Sequence, residues 1–406
     1  MVALCPVTAR SKNSLLLLIA CGVILIGITA AGVLSGLTVL TAVPIGFLLG
    51  YFLVMGDLCG ASSFSEVLLM RDGRKLFGLF VAVAVSAAGF AVLDALDLVT
   101  LCPRPLYWAS YLVGGAIFGV GMVLAGGCVS GTLYKCASGH QNSMLALLVI
   151  PFGIQAVDFG FLSGMDRFLR GYLVSGPGGP PVTLTSLTGI PYAMLALGFV
   201  LIALVLGIRA ARRRKPLPGV IVQKSSVGLV DRILHRPWRP WAAGIMIGLL
   251  AVPAWLSSLE SGRDFPLCVT YGVEEMPLLL SGEEINYVWL PDGVQNFVPA
   301  QGQAPRKRIY LWLILVVAAF LPGAHLGARL MGRAAFYRRP RGELVVAVIG
   351  GFLVGVGAGL GRGCMIGNGL MGTALMSVGM ILFTVTALLA NWATTRIYVV
   401  GLSFRD

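Results

Sequence analysis

Charge is scarce in this chain. Only 12% of its 406 residues are charged, against roughly 25% in a soluble domain. Residues 13–56, 76–93, 105–134, 136–157, 171–208, 240–259, 309–328, 344–361 and 363–395 carry no charge at all. A helical span needs ~20 apolar residues, so these runs hold about nine or ten membrane crossings. Lipid offers the backbone no hydrogen-bond partner, so only helices or a closed barrel cross it, and runs of this length read as helices. A soluble fold is excluded. Histidine is nearly absent: there are three, His140, His235 and His325, none at ligand spacing, and the eight cysteines form no C-x-x-C. That argues against a zinc or iron–sulfur centre, and glycine-flanked cysteines at apolar depth argue against a disulfide framework. No G-x-x-x-x-G-K-[ST] occurs, so direct coupling to ATP within this chain is not expected. Neither a cofactor nor a metal is expected. The apolar stretch from Ser14 to Gly36 is too long for the core of a cleaved signal, and no small-residue cleavage box follows it.

Acids are the scarcer sign, 17 against 30 bases, and the resulting +13 is concentrated. Residues 209–239 hold nine basic side chains against Asp231 alone, and 329–341 hold five more with no acid. Both clusters abut spans, so they read as cytoplasmic loops and not as a nucleic-acid surface. Residues 264–292 carry six acids and no base and are expected outside. The chain thus divides into a first transmembrane half at 13–209, a basic cytoplasmic linker at 210–239, and a second half at 240–400 with a polar insertion at 274–308.

One pattern occurs in both halves. GVGMVLAGGCVSG at 119–131 returns 236 residues later as GVGAGLGRGCMIG at 355–367, with Gly119, Val120, Gly121, Leu124, Gly127, Cys128 and Gly131 matched identically by Gly355, Val356, Gly357, Leu360, Gly363, Cys364 and Gly367. Hydrophobic segments interrupted at matching positions of two halves point to a transporter's substrate site. A second pair, Cys59 in GDLCGASSF and Cys268 in DFPLCVTYGV, is offset by 209 residues, and the difference of 27 fits the polar insertion. The fold expected is an all-α polytopic membrane protein of two inverted structural repeats, with short re-entrant helices meeting at the midplane and Cys128 opposite Cys364.

Glycines such as Gly127 and Gly363 let a helix stop, expose amides and restart, which makes an anion site. The alternative is that they only permit close helix packing, with the cysteines as small buried hydrophobes. Arg362, two residues before Cys364, stands where the first copy has Gly126. It either draws an anion and activates the thiol, or snorkels, or pairs with an acid of the other half. Lys135 is a candidate recruiter of anions. Asp57 reads as a gate, a coupling-ion ligand or a helix cap, and His140 as structural. Cys136 is a candidate exit-side thiol, while Cys5, Cys21 and Cys102 lack any motif.

The motifs LAGGCVSGTLYK (124–135), GRGCMIGNGLMGTALMS (361–377) and GDLCGASS (56–63) resemble those of the YeeE/YedE family of sulfur-compound membrane transporters, over roughly residues 40–400. The resemblance implies an hourglass-shaped bundle in a bacterial inner membrane. It implies uptake of thiosulfate between cysteine thiols through S–H···S contacts, without covalent transfer. It implies Cys128 and Cys364 as waist cysteines, Cys59 as a third thiol nearer the outer mouth, and a cytoplasmic TusA-like sulfur-carrier partner. The insertion 274–308 and Cys268 depart from the family's compact pattern and bear on the outer vestibule and substrate choice. Within transport, sulfide, persulfide, sulfite and selenium oxyanions are the rival cargoes. Outside it, the rivals are a membrane thiol–disulfide oxidoreductase using a Cys128–Cys364 bridge and a non-transporting membrane subunit.

Overall fold

The computed structural model describes residues 10–175, 181–212, 235–280, 286–287 and 308–401. Most of the 210–239 linker and of the 281–307 stretch lies outside them.

Among the described residues, eight helical stretches are long and apolar enough to cross a membrane. A ninth forms if the bent pair Gln141–Asp158 and Ser163–Arg170, broken at 60°, is one span. That agrees with the lower end of the sequence expectation, because the first apolar run yields a helix whose described apolar part, Ile19–Leu34, is short of a span. In chain order the helices are α1 (Arg10–Leu34), α2 (Ala42–Gly56), α3 (Gly60–Leu69), α4 (Arg74–Ala95), α5 (Trp108–Leu124), α6 (Val129–Ala137), α7 (Gln141–Asp158), α8 (Ser163–Arg170), α9 (Leu184–Thr188) and α10 (Tyr192–Arg212). The second half follows with α11 (Pro240–Glu260), α12 (Thr270–Leu280), α13 (Leu311–Leu330), α14 (Arg341–Leu360), the π-helical segment Met365–Gly372 and α15 (Val378–Thr394). The only strands described are two-residue pairs.

The halves interlock. Helix α2 packs chiefly on α13 and α4 on α11; α7 packs on α14 and α15 on α5; α5 and α14 pack on each other, as do α2 and α11. Exchanging the halves turns each of these pairings into another in the set. Equivalent helices α2 and α11 run antiparallel: Thr41, at the start of α2, is hydrogen-bonded to Ser257 near the end of α11, while Gly56 abuts Ala243. Small residues set the contacts, as expected where lipid supplies no hydrophobic drive between helices. A Cβ on Gly78 would lie 2.6 Å from the Pro240 carbonyl oxygen, and one on Gly50 would lie 3.0 Å from the Ala324 nitrogen. Helix α10 stands apart, touching mainly α4, with only 6% of its span buried.

The insertion begins differently from the sequence expectation. Glu274 and Glu275, expected in an outward acidic segment, lie in α12 and are buried against the neighbouring helices.

Candidate functional site

Four apolar helices end in a residue with left-handed backbone and are followed by a buried cysteine. Helix α2 closes at Asp57 (φ 47°), α5 at Gly126 (φ 70°), α11 at Gly262 (φ 76°) and α14 at Arg362 (φ 54°). The Asp57 and Leu58 amides donate to Val54 and Leu53, and the Arg362 and Gly363 amides to Gly359 and Ala358, the same C-terminal lock in both halves. Gly126 and Arg362 occupy equivalent positions with the same conformation, so the repeat is symmetric in backbone where it differs in side chain. The chain then extends through Cys59 (φ −117°, ψ 131°), Cys128 (φ −77°, ψ 178°) and Cys364 (φ −101°, ψ −167°). Each starts a new helix, accepting at its carbonyl from Ser63, Thr132 and Asn368 respectively. Cys268 leads into α12.

The thiols are paired within each half. Cys59 Sγ and Cys128 Sγ are 3.9 Å apart, and the Cys268 and Cys364 thiols are in side-chain contact. All four are buried. The duplicated glycines at the third position after each waist cysteine make this possible. A Cβ on Gly131 would overlap the Cys59 sulfur, and one on Gly367 would stand 3.1 Å from the Cys268 sulfur. This shared arrangement aligns Cys59 with Cys268. Met365 reaches across from the second half. Its side chain packs where a Gly60 Cβ would lie, and that Cβ would also be 3.6 Å from Cys128 Sγ.

The exposed carbonyls of the breaks are satisfied by cations and amides. Lys135 Nζ donates to the Gly126 carbonyl, and Arg104 Nη1 donates to the equivalent Arg362 carbonyl at 2.9 Å. Asn368 Nδ2 donates to Gly361 at 2.8 Å and Gly363 at 3.2 Å, while Thr132 Oγ1, at the position equivalent to Asn368, donates to Cys128. Gly127 and Gly363 sit against these two side chains, Thr132 and Asn368. Lys135 is thus a backbone clamp. Arg362 follows the ion-pair reading: its guanidinium is 3.1 Å from Asp166 and 3.6 Å from Asp158, acids of the first half.

At the end away from the linker, beside Cys268, lies a cavity of about 670 Å³ lined by Arg104, Arg170, Arg263 and Arg362, with Asp158, Asp264 and Glu275 on its walls. Asp264 accepts from Trp255 Nε1, and Glu275 accepts from the Tyr310 amide. Arg263 is 6% exposed; its Nη1 donates to Ser258, Phe265 and Pro266, while its Nη2 has no partner among the described residues. Phe265 lies between two guanidiniums, Arg104 at 4.8 Å and Arg263 at 5.2 Å from its ring centre. A buried unsatisfied cationic donor on a cavity wall is suited to an anion. Arg104, Arg263, Asn368 and Met365 escaped the sequence reading. Arg263 and Asn368 stand beside a break as a charge and an amide and Met365 as a thioether, while no cysteine motif touches Arg104.

At the opposite end, Asp57 is held by Lys75 Nζ (2.7 Å) and Tyr134 Oη (3.1 Å), and Lys75 also reaches Glu66 (2.6 Å). The Trp238 amide, at the close of the linker, donates to Met55. Cys59 therefore lies on the linker side, and Cys268 is the thiol beside the opposite cavity. Helix α2 runs toward the linker, which sets Cys59 at that end of the molecule. His140 stacks on Tyr337 at 4.5 Å and contacts the Lys135 carbonyl, a structural role. Cys102 is exposed, and Cys21 and Cys136 are half-buried. No cluster among the described residues is fit to hold a metal.

Residues 55–393 match the family described as sulphur transport. The chain belongs to the sulphur transport family. This multi-pass membrane transport protein is 25% identical over 359 residues to the thiosulfate transporter TsuA of Escherichia coli K12, covering 87% of this chain and 94% of the relative. It is 28% identical over 370 residues to the thiosulfate transporter TsuA of Spirochaeta thermophila, covering 87% and 96%. A shorter stretch of 101 residues is 30% identical to the probable transporter YedE of E. coli, covering 24% of this chain and 23% of that one. The YeeE/YedE resemblance read from the motifs thus holds, and the relatives are named transporters, not oxidoreductases.

Proposed function

We propose that this protein carries thiosulfate across a bacterial inner membrane, from the guanidinium-lined cavity to the linker end, past Cys268, Cys364, Cys128 and Cys59. The observation that carries the reading is the placement of two buried thiol pairs, one per half, beginning beside a cavity with an unsatisfied arginine donor. In this reading the two halves act as inverted repeats, and the basic composition of the linker favours the cytoplasm for their shared end. Arg263 and its neighbours offset the desolvation of a dianion, holding its oxygens while the soft terminal sulfur faces the thiols. Thiols are weak donors, so an S–H···S contact holds the sulfur loosely enough for the next pair to take it. Nothing is oxidised or reduced in this passage. Met365, whose thioether side chain lies between Gly60 and Gly369, continues the sulfur lining across the waist.

The test is uptake of labelled thiosulfate in a bacterium stripped of its own sulfate and thiosulfate importers. Uptake above the empty-vector background supports the reading. Its absence at proven membrane expression ends thiosulfate as cargo and turns the search to sulfide, persulfide or selenium oxyanions. In the same assay Arg263→Gln is expected to raise the half-saturation concentration about 10- to 100-fold, the effect of a charge-assisted hydrogen bond of roughly 1.5–3 kcal/mol. An unchanged half-saturation would remove Arg263 from the recognition of the anion.

A TusA-like sulfur carrier is the partner we assign to the linker end, where Arg329, Arg333, Arg338, Arg339 and Arg341 are all exposed. Co-purification of such a carrier should weaken steeply between low and physiological salt, as surface charge pairing does. Capture that ignores salt would remove this basic face as the docking surface.

A further inference from the structure

A second cavity, of about 590 Å³, lies to the side of the thiol path and meets it only at Met365. It opens between α10 and α4 and runs inward to the π-helical segment and α15, lined by Gly73, Leu76, Phe77, Phe80, Val83, Leu206 and Ala210 near its mouth and by Phe64, Met365, Gly369 and Leu370 at its floor. The floor is closed: Phe64, Met365 and Leu370 are 2%, 5% and 3% exposed. The mouth is open: Leu206 is 44% exposed, and Gly73 and Ala210 are exposed as well. Its two polar wall residues, Thr373 and Thr384, donate their hydroxyls to the Asn368 and Met380 carbonyls, so the wall offers no polar group that needs a ligand.

The position of this groove says what fills it. Helix α10 leans mainly on α4, and the groove lies on the flank it leaves open, at membrane depth. Where the groove meets the linker end, its lining residues Gly73 and Ala210 adjoin Arg74 and Arg209 in the chain, and Arg71 and Arg212 stand exposed nearby in sequence. One acid lies among them, Asp72, 3.1 Å from Arg74. An apolar slot with a cationic rim at the linker end matches an anionic phospholipid, acyl chain inward and phosphate at the arginines. We propose that this groove is a site for one anionic phospholipid. Its acyl chain reaches Met365, the residue after Cys364, so the lipid buttresses the waist from the side. The inference rests on the fold and not on the identity of the cargo.

The test uses the full chain, delipidated in mild detergent and exposed to phosphatidylglycerol or phosphatidylcholine with the same acyl chains. Retained lipid is counted by native mass spectrometry. We expect one phosphatidylglycerol held in preference to phosphatidylcholine. Arg209→Gln and Arg74→Gln should each cut that preference about fivefold, as befits one interfacial arginine. Leu206→Trp and Ala210→Trp fill the mouth from exposed positions on α10 that tolerate bulk, so they should abolish retention while leaving the helical melting profile unchanged. Equal retention of the two lipids, retention of neither, or full retention in both tryptophan variants would overturn the proposal. Retention of neither would show that another part of the chain covers the groove.

Discussion

Cys364→Ala and Cys128→Ala are each expected to lower the initial rate of thiosulfate uptake about 10- to 100-fold at matched membrane level. Each removes a sulfur from a buried pair and leaves its partner, Cys268 or Cys59, facing a gap. The passing anion then meets an apolar methyl where it had a donor, a loss of roughly 1.5–3 kcal/mol for a hydrogen bond to a charged group. Applied to a barrier at the waist, that converts to the stated range of rates. Cys→Ser at the same positions should recover part of the rate, since a hydroxyl donates but is less polarizable. Cys102→Ala, at an exposed thiol, should transport normally. Full uptake in both waist variants would mean that the thiols are packing alone, whatever the cargo.

The second large effect is on assembly. Gly357→Val should prevent recovery of monodisperse protein from the membrane. A Cβ on Gly357 would lie 2.5 Å from the Phe118 nitrogen and 2.7 Å from the Gly114 oxygen, and Gly121 meets the Val354 nitrogen at 2.6 Å from the other side. These contacts join α5 to α14, the two helices that deliver Cys128 and Cys364. Overpacking ordinarily costs ~1–3 kcal/mol because side chains can shift. Here the obstacle is backbone, which can yield only by moving a whole helix and with it both breaks. Against a typical net stability of about 5–15 kcal/mol, that is a large share. Gly22→Val and Gly198→Val, where a Cβ meets nothing within 4 Å, serve as controls and should elute as the unmutated chain does. A monodisperse Gly357→Val on fluorescence-detected size exclusion would contradict the rigid α5–α14 contact.

Much of this was legible in the chain. Charge-free runs announced the spans because lipid penalises any unpaired charge or amide. The duplicated glycine–cysteine motif announced the two breaks, although the left-handed closing residue is glycine in one, Gly126, and arginine in the other, Arg362. The equivalence of Cys59 and Cys268 was visible only as an offset, and the structure expresses it as two thiols resting on Gly131 and Gly367.

What sequence reading left open concerned partners distant in the chain. Arg362 had three readings, and the outcome depended on Asp158 and Asp166, roughly two hundred residues away. Lys135 looked like a recruiter of anions, but the nearest acceptor is a carbonyl left unpaired by the helix break next to it. Arg104 and Arg263 carry no motif. They become a pair because two loops from different halves close on one phenylalanine ring.

By itself, then, the sequence determined the solvent of this protein, its duplicated motif and the places where sulfur meets a broken helix, all of which follow from local chemistry repeated along the chain. Tertiary structure alone decided which thiols pair, which end each pair faces and which cations are left with a donor to spare. Those depend on the crossing of helices, where a charge acquires its partner through space and no spacing in the chain records it.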